Sequence, residues 1–246
     1  MIGSTTTEFL WLENEGELTG WTQHSISDGG ADVHFRNAQL GSYDVFIVGE
    51  FFAESLTVYY VAGNDWASPD ANVQRIVIDT PGQIFDVYVD DFNRDGRYEV
   101  LATVYDGDEG HVYIYDIPAD FLNDPWERRS IADEFFANFI LLGQSMTPGS
   151  PKPFYPSEEY EEQTTPDGRQ VKPWISLSGD DDGKHYILVP VSEDADDWTY
   201  EKNILVDTGA TTSGKIAIAD LDGDGYTELI AAGYSIGKLY VFTYAP

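Results

Sequence analysis

The chain has 246 residues, 42% hydrophobic and 14% aromatic, enough to bury a core as one large β domain or two small ones. Its formal net charge of −31 arises from 44 acidic residues against 13 Lys and Arg. This charge argues against nucleic acid and anionic membranes as partners, because their phosphate groups would be repelled. The absence of cysteine excludes disulfides and thiol chemistry.

The N-terminal region predicts two strands and no targeting segment. Residues 1–7 lack the basic region and apolar core of a signal peptide, and no apolar run of the chain reaches the ~20 residues of a transmembrane helix. We nevertheless expect a secreted or extracellular protein, whose export signal would lie outside this sequence. Residues 9–13 are typical of a third strand in a sheet, and residues 21–26, led by Trp21, of an outer strand.

The remaining chain predicts four units of short strands, at about residues 32–79, 84–131, 138–204 and 215–246. Apolar strands alternate with Gly- and Asp-rich turns in each unit. The third unit is expected to start with the apolar run 138–142 and to carry a long inserted loop, residues 145–171. Four-stranded units that repeat in this way predict an all-β chain, a β-propeller whose blades are the units.

Two of the units carry nearly the same acidic loop between their first and second strands. Oxygen side chains stand at alternate positions, a glycine follows where the loop turns sharply, and a carboxylate ends the loop; this pattern suits Ca²⁺. We therefore predict two Ca²⁺ sites. The ligands of one are Asp91, Asn93, Asp95, the Arg97 carbonyl and Glu99; those of the other are Asp220, Asp222, Asp224, the Tyr226 carbonyl and Glu228. The alternative is an acid-rich turn that holds no ion.

The spacing separates these loops from an EF-hand. An EF-hand has a Glu at its twelfth position and helices on both sides. Counted from Asp91 and Asp220, that position holds Ala102 and Ala231, and apolar strands flank both loops.

On these loops and on the tryptophan-led strands, the chain resembles the FG-GAP/VCBS repeat β-propellers. That group includes integrin α-subunit heads, some fungal lectins, aldos-2-ulose dehydratases and several polysaccharide lyases. Residues 21–26 (WTQHSI) and 11–14 (WLEN) are most similar to the fungal lectin and dehydratase-like branch. The resemblance implies Ca²⁺ between the first and second strands of a blade, and rings that commonly contain seven blades.

The number of blades is left open by the sequence. The last unit lacks an outer strand, which residues 21–26 could supply as a closing strand. Residues 9–13 would then be a surplus third strand. Either upstream blades of a larger ring are missing, or a partner chain completes it; an open edge strand would also favour a homo-oligomer.

Candidate ligand contacts are the aromatic residues in or near the insertion and one histidine. They are Phe154, Tyr155, Tyr160, Trp174 and His34, the last on a first strand that would line the central channel. The acidic run 180–182 is expected to be a solvated hairpin turn. No pairing of nucleophile and base identifies a catalytic residue.

Three functions compete. The first is a Ca²⁺-binding, lectin-like module with a carbohydrate ligand, which we favour. The second is a lyase, dehydratase or isomerase that acts on a sugar, and the third is a protein-interaction scaffold similar to the integrin head. Whether the chain is an enzyme is left open by the sequence, because a fold alone does not determine function.

Overall fold

The computed structural model describes residues 8–14, 16–27, 33–66, 68 and 71–246. Asp32, the predicted start of the first unit, and residues 1–7 lie outside this part of the chain. The described residues form an all-β protein, which confirms the all-β part of the predicted fold class. One short helix, α1 (Glu158–Glu161), interrupts the strands, together with brief 3₁₀ turns.

The strands form a hairpin followed by four sheets, each an antiparallel meander in chain order. The hairpin is β1 (Phe9–Glu13) and β2 (Thr22–Ser27). The first unit is β3 (His34–Leu40), β4 (Tyr43–Glu50), β5 (Ser55–Val61) and β6 (Val73–Asp79), and the second is β7 (Gln83–Asp90), β8 (Glu99–Tyr105), β9 (Gly110–Asp116) and β10 (Glu127–Phe135). The third is β11 (Pro151–Phe154), β12 (Trp174–Ser178), β13 (Lys184–Pro190) and β14 (Tyr200–Asp207), and the fourth is β15 (Ile216–Ala219), β16 (Glu228–Gly233) and β17 (Lys238–Thr243).

The core lies between successive sheets rather than inside any one of them. Apolar side chains alternate along the strands, so one face of a sheet packs on the preceding unit and the other on the next. Ile47 of the first unit packs with Ile84 of the second, whereas Leu101 of the second packs with Ile175 of the third. On its other face the first unit packs on the β1–β2 hairpin, through Phe9 among others.

The first strands of the four units lie close to one another. Strand β3 packs against β7, and β7 against β11. Lys215, which immediately precedes β15, reaches His34 at the start of β3, with 3.0 Å between Nζ and Nε2. The start of the fourth unit therefore lies beside the start of the first.

The third unit begins later than the sequence predicts. Its first strand is Pro151–Phe154, inside the segment predicted as a loop, whereas the expected strand at 138–142 forms a turn closed by a bridge between Leu141 and Gln144. Strand β11 pairs only with β12, so its other edge is open. Proline has no N–H group to donate, and on an open edge strand this costs no hydrogen bond of the sheet. The insertion between the first and second strands is therefore 155–173.

The hairpin does not close the last sheet. Residues 21–26 were a candidate outer strand for the fourth unit, but Thr22–Ser27 pairs with Phe9–Glu13 instead, and β17 is the last strand of its sheet among the described residues. The hairpin is a separate two-stranded sheet that packs on the face of the first unit.

Candidate metal centre

Both acidic loops occupy the same place in their units. The first joins β7 to β8 and the second joins β15 to β16, so each leaves the C-terminal end of a first strand. The sequence favours this placement because the apolar strand residues end at Val89 and Ala219, and a run rich in Asp and Gly follows each.

The first loop is organised by backbone N–H groups that donate to its own carboxylates. Phe92 donates to Glu99 Oε2 at 2.9 Å, and Gly96 donates to Asp91 Oδ2 at 2.9 Å. Asp95 Oδ1 accepts from the N–H of Arg97, also at 2.9 Å. These bonds turn the side chains towards the middle of the loop.

The second loop repeats this hydrogen-bond scheme position by position. Leu221 donates to Glu228 Oε2 at 2.8 Å, Gly225 to Asp220 Oδ2 at 3.0 Å, and Tyr226 to Asp224 Oδ1 at 2.9 Å. Gly96 and Gly225 have φ values of 91° and 84°. A side chain would be strained at these angles, which explains the glycine at the same position of both loops.

Each loop brings three carboxylates close enough to hold one metal ion. Oxygens of Asp91, Asp95 and Glu99 lie within 4.8 Å of one another, as do oxygens of Asp220, Asp222 and Asp224. Glu228 retains its hydrogen bond to the loop but lies outside the second trio. The first trio includes the buried Glu99, whereas the second is fully exposed.

Burial and, to a lesser extent, neighbouring negative charges disfavour the ionised form of Glu99 in the first loop. Glu99 is 2% exposed, and its burial raises the pKa to about 8, with the charges of Asp91 and Asp95 adding to the increase. Arg97 offsets part of this charge through an ion pair with Asp95, 2.6 Å from Nη2 to Oδ2. A divalent cation at the centre of the trio would offset the remainder.

The insertion contacts both acidic loops. Tyr155 accepts hydrogen bonds from Arg94 of the first loop on its hydroxyl, and its backbone carbonyl accepts one from Thr227 of the second at 2.6 Å. Glu158 at the start of α1 donates its N–H to the Gly225 carbonyl at 2.9 Å. Arg169, near the end of the insertion, donates to the Asn93 carbonyl at 2.9 Å.

Two grooves lie beside these loops. One, of about 760 Å³ between the first two units, is lined by Phe46, Trp66 and Tyr98 together with polar side chains such as Asn37 and Gln39. The other, of about 350 Å³, lies open to solvent between the insertion and the second loop and is lined by Phe154, Tyr155 and Asp220 among others. The larger groove contains residues that the sequence did not single out.

Four of the five predicted ligand contacts form one aromatic cluster. Trp174 packs edge-on against Phe154 and Tyr160, and Tyr155 packs on Tyr160 in turn. Tyr244 of the fourth unit completes the cluster, which therefore joins the last two units. The fifth residue, His34, lies at the opposite end of the first strands from the acidic loops.

The acidic turn at 180–182 is buried, so the prediction of a solvated turn is wrong. Asp182 accepts from the hydroxyl of Tyr186, and Asp181 accepts from the N–H of Met146 at 2.9 Å. The contacting residues lie outside the turn, so the residue types of the turn alone do not predict its burial.

Sequence reasoning also missed Asp86 and Lys215 as polar neighbours of His34, at 3.7 Å and 3.0 Å from its Nε2. The available signal was that the first strands begin on polar residues, as His34, Gln83 and Lys215 show.

Comparison with known protein families and with curated proteins gave no match. The assignment of function therefore depends on the geometry of the loops and on their chemistry. In the described part of the chain, no helix combines the length and the apolar character needed to span a membrane.

Proposed function

We propose that the chain is a Ca²⁺-binding module of the β-propeller type and that it binds carbohydrate. The observation that carries the metal proposal is the repeated loop: two loops, about 130 residues apart, orient their acids by the same backbone hydrogen bonds. The FG-GAP/VCBS resemblance of the sequence supports the same conclusion, and the stacked four-stranded sheets are compatible with blades.

The donor set favours Ca²⁺ over other common ions. Asp, Asn and Glu side chains and backbone carbonyls supply hard oxygen ligands, whereas Zn²⁺ sites normally use His or Cys. The trios contain neither His nor Cys. Ca²⁺ accepts six to eight oxygen ligands in a variable geometry, whereas Mg²⁺ requires a near-ideal octahedron, so a loop of mixed carboxylate and carbonyl oxygens favours Ca²⁺. In an extracellular setting, a dissociation constant on the order of 10⁻⁴–10⁻³ M would suffice.

Calorimetric titration of Ca²⁺ into chelator-treated protein tests the metal proposal. We expect two sites in the wild type and one in each of Asp91→Asn and Asp220→Asn. Asp108→Asn is the matched control, because this exposed acid lies in the turn between β8 and β9, away from both trios. Unchanged stoichiometry in both loop variants would refute binding at these loops.

Carbohydrate binding is proposed for the larger groove beside the first loop. The faces of Trp66 and Tyr98 offer apolar stacking surfaces, and the amides of Asn37 and Gln39 offer donors and acceptors for hydroxyl groups. This combination is suited to a sugar ring, which is apolar on one face and polar at its edge.

A glycan array with and without chelator tests this second part. Tyr98→Ser, at a half-exposed position in the groove, should reduce binding at least tenfold. Phe136→Ser, a comparably exposed aromatic residue that does not line this groove, should leave binding unchanged. Absence of binding in both conditions, or equal effects of the two variants, would count against the carbohydrate proposal.

A further inference from the structure

The outer edge of the fourth sheet differs from the outer edges of the other three. Strands β6, β10 and β14 each carry charges of both signs, and the ladder that joins each of them to its neighbour contains a register shift. Charges and bulges of this kind keep an edge strand from pairing with another chain. Strand β17, which in the described part of the chain pairs only with β16, has an unshifted ladder and one charged residue, Lys238. It therefore lacks most of this protection.

The stretch that contains β17 has no acidic residue. Residues 229–246 hold no Asp or Glu, although the whole sequence has 44 and a net charge of −31. Two copies that met elsewhere would bring carboxylates together, whereas β17 offers none that could repel a second copy. The strand is instead aliphatic and aromatic, a composition typical of the core of a protein–protein interface.

Backbone groups of alternate residues in β17 point away from the sheet. The N–H of Tyr244 donates to the carbonyl of Thr227 at 3.3 Å, so the backbone of Tyr244 faces the neighbouring strand β16. Along a strand, successive residues direct their N–H and C=O groups to opposite sides. The backbone groups of Leu239, Val241 and Thr243 therefore face the free edge, where no strand of the described residues pairs with them.

The residues at this edge also expose apolar side chains. Leu239 is 72% exposed and Val241 is 63% exposed. Both stand on the sheet face that is turned away from the third unit, because Leu229 and Phe242 occupy the face that packs on it. Unpaired backbone groups and exposed apolar side chains thus belong to the same short segment, which is the combination that a β-strand partner covers.

We propose that β17 pairs antiparallel with β17 of a second copy of this chain, forming a closed two-fold dimer. With Val241 on the axis, Val241 faces Val241, and Leu239 of each copy faces Thr243 of the other. In this register the outward N–H and C=O groups of these residues all find partners. Lys238 falls opposite Tyr244, so no like charges oppose each other. The pairing occupies the free edge of both copies, which closes the assembly at two.

The edge fits a second copy because it is self-complementary: its outward backbone groups are centred on Val241, and the side chains that meet are uncharged. One strand pair buries less surface than the ~1,200–2,000 Å² of a standard stable interface, so we expect a dissociation constant on the order of micromolar. Salt screens the repulsion between two acidic copies, so the dimer should tighten as the salt concentration rises. The acidic loops and the groove at Tyr98 take no part, so the dimer goes beyond the proposed function.

Sedimentation velocity tests the dimer, on protein with Ca²⁺ at about 1–500 µM, a range that spans a micromolar dissociation constant. Val241→Lys places two ammonium groups opposite each other and should weaken the dimer at least tenfold. Ile204→Lys is the matched control, because Ile204 is 59% exposed on the edge strand β14 and the substitution changes the net charge equally. This control should leave the dimer unchanged. Raising NaCl from about 0.05 to 0.5 M should tighten the wild-type dimer at least threefold.

Cross-linking tests the register. The sequence has no cysteine, so Val241→Cys gives each copy a single thiol, and the pairing brings the two Cα atoms to about 5.5 Å, within reach of a disulfide. Oxidised glutathione should link two copies of this variant and should not link Ile204→Cys. Cysteine is a small change at an exposed position, so this variant reports on the dimer even if Val241→Lys does not fold. A monomer at every concentration, species larger than a dimer, a dimer that salt weakens, or equal effects at positions 204 and 241 would overturn the proposal.

Discussion

The hydroxyl of Tyr155 lies 2.8 Å from Nη2 and 3.0 Å from Nε of Arg94, a bidentate contact between the insertion and the first acidic loop. The same hydroxyl donates to the carbonyl of Val171 at 3.1 Å. Burial raises the pKa of Tyr155, with Arg94 opposing the increase, so the hydroxyl is protonated and both contacts hold at neutral pH. The insertion is thus fixed to the loop that it covers.

Removing this hydroxyl should loosen the first loop. Tyr155→Phe leaves two N–H groups of a half-buried guanidinium without their acceptor, and we expect a loss of about 1–3 kcal/mol in the free energy of unfolding. Urea denaturation in the presence of Ca²⁺ measures it. Tyr234→Phe, at an exposed position, is the control. A loss below about 0.5 kcal/mol would show that the bidentate contact contributes little.

The two acidic loops should differ in Ca²⁺ affinity. Contacts from Arg169 and from the Ala195 carbonyl hold Asn93 of the first loop, and the carboxylate trio of that loop includes the buried Glu99. The trio of the second loop is fully exposed. A preorganised loop loses less conformational entropy when it binds, so we expect the first site to be at least tenfold tighter.

Single-site variants measure that difference. Asp220→Asn isolates the first site and Asp91→Asn isolates the second, and titration of each gives one dissociation constant. Arg169→Gln in the Asp220→Asn background should weaken the first site, because it releases the Asn93 carbonyl. Equal affinities, or a tighter second site, would contradict preorganisation as the determining factor.

The acidic loops were predictable because the hydrogen bonds that orient their carboxylates run to backbone N–H groups of the same loop. Local chemistry there determines the structure: alternate acids, a glycine at positive φ and a terminal Glu. The sequence of polar and apolar residues likewise predicted the sheets of the second and fourth units. Neither prediction needed information about distant contacts.

The predictions for residues 138–142 and 180–182 were wrong because contacts between residues distant in sequence determine the structure there. Asn138 and Phe139 donate their N–H groups to the Asp181 carbonyl and so do not form the predicted first strand, while the proline-containing run at 151–154 takes that place. Burial of the turn at 180–182 depends on residues near 138, 146 and 212. Local sequence patterns do not predict such long-range packing.

A buried ion pair in the first unit gives a third prediction. Glu50 is fully buried and accepts hydrogen bonds from Ser55 at 2.6 Å, from Tyr59 at 2.7 Å and from Arg75. Glu50→Gln removes the charge that these donors surround. We expect a loss of about 1–3 kcal/mol, below the range for fully buried pairs because the Arg75 side chain is 41% exposed.

Chemical denaturation at pH 7 measures this loss, with the exposed turn residue Glu54→Gln as the control. Burial alone would raise the pKa of Glu50, but Arg75, Ser55 and Tyr59 outweigh it and the pKa is lowered. The stabilisation should therefore be present above the unfolded pKa of about 4.3 and be lost as the pH falls below it. A difference between wild type and variant that persists at pH 2–3 would show that packing, and not charge, is responsible.

Asp180 gives a pH dependence of the opposite sign. An unfolded Asp titrates near pH 4, whereas burial raises the folded pKa of Asp180 to about 7. Between these values the folded protein holds a proton that the unfolded chain has released, so the free energy of unfolding decreases as the pH rises from about 4 to 7. Asp180→Asn lacks this proton and should not show the decrease.

At pH 8 we expect the variant to be more stable than the wild type by on the order of 1–4 kcal/mol, and at pH 4 the difference should vanish. Urea denaturation across this range, with the exposed Asp108→Asn as control, measures the effect. A variant that is less stable than the wild type at pH 8 would mean that the Asp180 carboxylate is stabilising in the folded protein, which would contradict the raised pKa.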